Sequence, residues 1–361
     1  MDPGNATQSL ELVRDRAAAV GPLLRAALLG WDEGLVPAGA ARRDFVCTGA
    51  GASEGPARFL VALCRRHLGV RAHFAPLSAF AAPNELLRGD ALVVFSQGLS
   101  PNARLALGHA GDYALTVLFT SVAPDAAAPE SDPSGVGFRL LGRRGRVAVL
   151  PPASEARMLV RLSGPAVATL GALLFAADLA RGRGRPLFDA LPDLPRLIGA
   201  ARRRVRGELA ALADELPFPR VAFVAAAGYG EYCHGLRWKL LEGLGLPDPP
   251  VWDVLQIVHG PLQQFYDERL LVVTLESAGR PRERPLFDRL AQVLVPGRHR
   301  LLRLEARAEP PFSWFEHDAL CNALLVKWLE KSPRDLIDWP GKDADGPLYC
   351  LEPGALARPK P

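Results

Sequence analysis

The sequence has no Cys-x-x-Cys pair, no secretory leader pattern, no large excess of either charge, and no unbroken apolar run reaching the ~18 residues of a membrane span. Its five cysteines, Cys47, Cys64, Cys233, Cys321 and Cys350, are widely scattered. An odd number at such spacings fits reduced thiols, not a disulfide framework or a zinc site. A net charge of +4 over 361 residues implies no broad basic surface, so nucleic acid is not an expected partner. The densest basic run, Arg202-Arg203-Arg204-Val205-Arg206, falls in a helix-like stretch and is expected to be a solvated face. The opening Met1-Asp2-Pro3-Gly4-Asn5 lacks the basic and apolar regions of a signal peptide. The most apolar stretch, Leu162 to Leu179, is interrupted by Ser163, Gly164 and Pro165 and carries Asp178, so a buried helix is expected there. No Gly-Lys-Ser/Thr loop is present, which leaves a nucleoside triphosphatase unsupported. These absences predict a cytoplasmic protein that needs neither membrane, metal nor cofactor.

What is present points to an α/β chain. Hydrophobic residues make up 49% and charged residues 23%, ordinary globular values, and the length suggests two or three domains. Short β-branched runs alternate with helical patterns, the signature of parallel-sheet units covered by helices on both faces. Strands are predicted near 44–47, 71–74, 91–95, 115–119 and 147–150, then near 221–224, 251–253, 270–275 and 299–304. Residues 5–30 read as an amphipathic helix through Leu10, Val13, Ala17, Val20, Leu24 and Leu28. Residues 155–216 read as a helical connection, and 314–331 as the last long helix. Val122 to Ser134 reads as an exposed loop and the Pro- and Gly-rich tail from Ser332 as a wrap.

The chain also reads as a duplication. Gly49 and Gly51 match Gly228 and Gly230 at a spacing of 179, and Leu92-Val93-Val94-Phe95 matches Leu271-Val272-Val273-Thr274 at the same spacing. The predicted divisions are 1–155, 156–216, 217–331 and 332–361.

Ligands of open α/β sheets bind beyond the carboxyl ends of the strands. Three segments of the first half fall there. Gly49-Ala50-Gly51-Ala52-Ser53 follows one strand and opens a helix, where free backbone amides meet an anion. Leu77-Ser78-Ala79-Phe80 follows the next strand. Ser96-Gln97-Gly98-Leu99-Ser100-Pro101-Asn102 follows the third and opens another helix. A serine at such a place is otherwise a helix cap.

These residues carry a family resemblance. Gly49-x-Gly51-x-Ser53-x-x-x-Ala57 followed by Ser96-Gln97-Gly98-Leu99-Ser100 resembles the sugar isomerase (SIS) domain family. Lys239-Leu240-Leu241-Glu242, and then His259-Gly260-Pro261, resemble the isomerase half of the glucosamine-fructose-6-phosphate aminotransferases. The likeness covers about residues 5–340. It implies two tandem SIS domains, each a flavodoxin-like three-layer αβα sandwich around a mostly parallel five-stranded sheet. It also implies a small sugar phosphate or analogue as ligand and a homodimer with shared active sites.

By the same resemblance Glu242 is the proton-transfer base of an aldose–ketose isomerisation, which needs a base near C1–C2. His259 opens the ring and reaches the partner subunit's site, and Lys239, one turn before Glu242, steadies developing charge. Gly49, Gly51, Ser53, Ser96, Gln97 and Ser100 hold the phosphate.

Three departures accompany the likeness. The phosphate loop is one residue short of the family's Ser-Gln-Ser-Gly-x-Ser/Thr, because Gly98 follows Gln97 directly. Ser78-Ala79-Phe80 replaces the family's Ser-Glu-Phe. In the tail, Pro333-Arg334-Asp335-Leu336-Ile337-Asp338 puts Asp338 where the family has lysine, with Lys342 four residues on as the substitute. Residue 2 is Asp and no glutaminase domain is expected. The reading is therefore an isomerase, or a deglycase or deaminase of amino-sugar phosphates. The alternatives are a non-catalytic phosphosugar sensor and a structural subunit that dimerises with an active partner.

Overall fold

The computed structural model describes all residues except 1–2, 38, 82–84, 125–134, 144, 153–154, 156–157 and 352–361. Most of the loop expected at 122–134 lies outside the described residues. Among the described residues nine strands form two sheets, and each overlaps one of the predicted ranges. The first sheet is built from β1 (Phe45–Gly49), β2 (Ala72–Phe74), β3 (Ala91–Phe95), β4 (Leu115–Thr120) and β5 (Gly145–Val149). The second holds β6 (Arg220–Ala225), β7 (Val251–Asp253), β8 (Leu270–Ser277) and β9 (His299–Ala306). The orders are β2-β1-β3-β4-β5 and β7-β6-β8-β9, and every pairing is parallel.

The helices in chain order are α1 (Pro3–Leu29), α2 (Glu54–Leu63), α3 (Ser78–Ala81), α4 (Ala103–Leu107), α5 (Val136–Leu141), α6 (Ser163–Arg181) and α7 (Leu194–Leu212). After them come α8 (Gly230–Cys233), α9 (Arg237–Leu244), α10 (Pro261–Gln264), α11 (Arg284–Val293), α12 (Ser313–Lys331) and α13 (Gly346–Tyr349). The expected five strands are met in the first sheet only. After β9 the chain runs through Pro310-Pro311 straight into the 19-residue α12, so the second sheet closes at four. The expected connection at 155–216 is two helices, because Gly182 to Asp193, rich in Gly and Pro, breaks the pattern.

The chain divides into two compact units drawn from interleaved stretches. One takes Leu23–Ala156, Ser163–Ala190 and Pro340–Pro361 and holds the five-stranded sheet. The other takes Met1–Pro22, Arg157–Leu162 and Leu191–Trp339 and holds the four-stranded sheet.

In the five-stranded unit both sheet faces are covered, as the continuous apolar strands require. Alternation along each strand sorts the side chains. Phe45 and Phe119 meet Phe175 of α6 edge-on at ring separations of 6.1 and 5.9 Å, and Phe95 stacks on Phe119 at 4.5 Å. Val46, Leu92, Val94 and Leu118 point to the other face and pack with Leu105, Ala106 and Leu141. Helix α6 is long and apolar enough to cross a membrane by length and composition, yet 78% of that window is buried inside the protein. Its Asp178 is bonded to the indole N–H of Trp31 at 3.0 Å and paired with Arg181.

In the four-stranded unit Ala222, Val224, Leu270 and Val272 pack with Phe287 and Leu290 of α11. The basic run on α7 is only partly solvated. Arg203 and Arg206 are exposed, but helical spacing turns Arg202 to the Ala17 carbonyl and Arg204 to the buried Glu316. Four of the five cysteines are buried free thiols, and Cys350 is exposed.

The spacing of 179 holds for β3 and β8, which begin at Ala91 and Leu270, but not for the glycine turns. In the first unit Gly49 lies inside β1, paired with Phe95, and Gly51 has the left-handed φ of 55°. In the second it is Gly228, three residues beyond β6, that has φ 73°, while Gly230 begins a right-handed helix. The glycines align in number but take different places in the two turns.

Candidate functional site

Strand β1 continues to β2 on one side and β3 lies on its other side. The carboxyl ends of β1 and β3 therefore flank the point where strand order reverses, the expected ligand crevice of such a sheet. Both predicted cradle segments stand there. Gly49 ends β1, and a Cβ on it would come within 2.4 Å of the Ser53 carbonyl oxygen and 3.2 Å of the Phe95 oxygen. Only glycine permits that approach. Gly51 to Ser53 form one 3₁₀ turn, and Ser53 leads into α2 without using its hydroxyl as a cap. The capping explanation of this serine is not met.

The second segment folds on itself. The Ser96 N–H donates to the Phe119 carbonyl at 2.9 Å, and the Ser96 hydroxyl accepts from the Ser100 N–H at 3.1 Å. The Ser100 amide is thus spent internally, while the Ser96 hydroxyl hydrogen remains a donor. Leu99 takes a left-handed φ of 53° with its side chain buried.

Gln97 differs from its neighbours. Its carbonyl accepts from Thr120 Oγ1 at 3.0 Å and from the Ser121 N–H at 2.8 Å. Its side-chain Nε2 is buried and has no hydrogen-bond partner. Thr48, fully buried one residue before Gly49, has an unpartnered Oγ1 as well. Sequence reasoning passed over Thr48, since a threonine inside a strand is ordinarily a packing residue. Asn102 does not cap α4; its amide, oriented to donate, reaches the carbonyls of Leu348 at 3.0 Å and Tyr349 at 2.7 Å. The tail of this unit is therefore fastened beside the loop. Lys342, earlier in that tail, is exposed.

The other predicted residues lie in the four-stranded unit. Lys239, on α9, is buried. Its ammonium pairs with Asp318 of α12 at 3.0 Å and donates to Asn322 Oδ1 at 2.7 Å and the Leu162 carbonyl at 3.5 Å. The contact to Asp318 is an ion pair, and two hydrogen bonds go to Asn322 and Leu162. Burial pushes the Asp318 carboxyl up and the Lys239 ammonium pulls it back down. Glu242, one turn on, is half-buried. His259 is exposed between a 3₁₀ turn, Gln256–Val258, and α10. Gly260 after it takes φ 119°, and its N–H donates to Gln263 Oε1 at 3.0 Å. That conformation explains the glycine of the His-Gly-Pro turn. Asp338 is exposed, with its N–H held by Asp335 Oδ1 at 2.7 Å.

A buried chain that sequence reasoning missed runs beside the ends of β8 and β9. His317 Nε2 sits 2.9 Å from the Glu276 carbonyl and 2.8 Å from that of Leu304. Carbonyls only accept, so Nε2 carries the hydrogen and Nδ1 accepts from the Tyr229 hydroxyl at 2.8 Å. Ser313 Oγ in turn donates to Tyr229 at 2.8 Å. Burial holds His317 down at a pKa of about 4.

No protein-family model and no curated protein sequence matches the chain. Solved structures do. The C-terminal domain of glucosamine-fructose-6-phosphate aminotransferase from Francisella tularensis superposes with TM-score 0.66 at 14% identity, over 90% of this chain and 96% of that one. Tagatose-6-phosphate ketose/aldose isomerase from Escherichia coli gives 0.62 at 16% identity, over 89% and 92%. Glucosamine-6-phosphate deaminase from Thermotoga maritima gives 0.57 at 14%, over 91% and 96%. This chain has the fold of SIS-type phosphosugar proteins. At these identities the likeness is one of fold, and the chemistry must be argued from the residues.

Proposed function

We propose that the chain binds a sugar phosphate or close analogue and moves a proton on it, as an aldose–ketose isomerase or an amino-sugar phosphate deglycase or deaminase. The observation that carries the binding half is the buried, unpartnered Nε2 of Gln97 at the switch point of the five-stranded sheet. A buried donor without an acceptor is costly, and a ligand oxygen supplies the acceptor. Gly49, Gly51, Ser53, Ser96 and Ser100 complete the cradle with backbone amides and hydroxyls.

For the chemistry, Glu242 takes the proton between adjacent carbons and His259 opens the ring. The neighbours named for isomerase and deaminase activity support both variants, since each needs a base beside the same two carbons. In a homodimer the exposed His259 serves the partner's site.

One observation favours the second reading, a phosphosugar sensor. The buried Lys239 ammonium is already paired with Asp318 and bonded to Asn322 and Leu162, so its charge is compensated within the protein and not held for a developing charge on a ligand. Turnover separates the two. Glu242→Gln keeps sugar-phosphate binding and abolishes turnover if the enzyme reading holds. A wild type that binds tightly yet turns over no hexose, pentose or amino-sugar phosphate makes the protein a sensor. A monomer by light scattering removes His259 from the proposed site.

A further inference from the structure

Gln97 is held at both ends. Its carbonyl is pinned by Thr120 and Ser121, and its side-chain amide lies flat on Gly164, the second residue of α6. A Cβ on Gly164 would stand 2.2 Å from Gln97 Oε1 and 2.3 Å from Cδ and Nε2. Gly164 has no left-handed φ to explain it, so close approach is what requires the glycine.

The peptide that forms this platform is itself anchored. Glu155, only 3% exposed, accepts the Ser163 N–H at 2.9 Å with one carboxylate oxygen and the Gly164 N–H at 2.8 Å with the other. An anion on the first amides of a 19-residue helix is favourable, and it satisfies two donors that the helix leaves free.

We propose that Glu155 and Gly164 are positioning residues of the cradle. Glu155 fixes the first turn of α6, Gly164 presents a bare backbone, and the Gln97 amide rests on it with its free N–H fixed for a ligand oxygen. A donor held in place before binding spares the rotamer entropy of ordering it. This rests on the cradle reading above.

The test is a cycle of Gly164→Ala and Gln97→Ala, singly and together. Affinity is read by titration calorimetry with fructose 6-phosphate and glucosamine 6-phosphate, and stability by thermal unfolding without ligand. Gly164→Ala is expected to weaken binding roughly tenfold in the wild-type background and not measurably once Gln97 is Ala. Its melting midpoint falls in the first background and rises in the second, where the helix gains from losing a glycine and nothing is displaced. Glu155→Gln, which keeps one acceptor, weakens binding less than Glu155→Ala.

Equal effects of Gly164→Ala in both backgrounds, on binding and on melting, would overturn the positioning role. A wild type that binds neither sugar phosphate sinks the cradle reading instead. In that case the melting cycle alone decides whether Gly164 holds Gln97.

Discussion

The carboxyl edges of the two sheets are built from the same topology and do opposite things with their polar groups. At the carboxyl ends of β1 and β3, Thr48 Oγ1 and Gln97 Nε2 are buried without partners. Beside β8 and β9, Ser313, Tyr229 and His317 form a chain closed on the Glu276 and Leu304 carbonyls. Farther along α12, Asp318 and Asn322 hold the Lys239 ammonium of α9, and the Asn322 amide donates to Asp318. Native interiors pair nearly all their buried polar groups, so two neutral side chains left over at one strand-end crevice mark it as arranged for something else. Asp318 Oδ1, also without a hydrogen bond, has instead the Lys239 ammonium at 3.0 Å. The four-stranded edge has filled itself from within.

If that contrast is right, the largest single effect on stability lies in the filled edge. Asp318→Ala strands the Lys239 ammonium in the interior and is expected to cost about 3–5 kcal/mol in chemical denaturation, whereas Lys239→Met with Asp318→Leu stays near wild type. A loss below ~1 kcal/mol for Asp318→Ala would mean that water reaches the pair and the edge is not closed.

The next effect is a pH dependence. His317 has a folded pKa of about 4 against an ordinary 6.5. Above 6.5 neither state binds the proton. As the pH falls from 6.5 to 4 the unfolded chain takes it first, so stability drops by up to roughly 3 kcal/mol and levels below 4. His317→Phe should flatten the stability–pH curve across that window. An unchanged slope would show that the imidazole is solvated.

Much of the fold was legible because it rests on local pattern. The nine described strands overlap the predicted ranges, most of them on short apolar or β-branched runs, and α1 and α12 lie on their apolar periodicity. The cradle turns were legible too, since Gly and Ser after a strand have a short-range reason to be there. What escaped depends on partners far along the chain. Nothing around Lys239 announces Asp318, and Lys239-x-x-Glu242 reads equally well as a catalytic or a surface pair until α12 is packed against it. Gly164 is one of many glycines until Gln97 lies on it. Of the two matches at a spacing of 179, the strand pair holds, since β3 begins at Ala91 and β8 at Leu270, while the glycine pair does not, because the left-handed conformation falls on Gly51 in one turn and Gly228 in the other.

Two smaller predictions probe the open edge. Gly49→Ala forces a Cβ to within 2.4 Å of the Ser53 carbonyl. Backbone must move, at a cost of about 1–3 kcal/mol, and sugar-phosphate affinity should fall with it as Ser53 shifts.

Thr48→Val is smaller and more discriminating. It removes a hydroxyl that has no partner and keeps a branched shape in a fully buried position. An unsatisfied polar group is a cost to the folded state, so stability should hold or rise by up to ~1 kcal/mol. If that hydroxyl is held for a ligand, affinity falls while stability does not, a split that packing alone cannot produce. Affinity unchanged with stability raised would leave Gln97 Nε2 as the buried unpartnered group reserved at this edge, beside the Ser96 hydroxyl. Stability lowered would mean that the hydroxyl has a partner after all, and the contrast between the two edges would narrow accordingly.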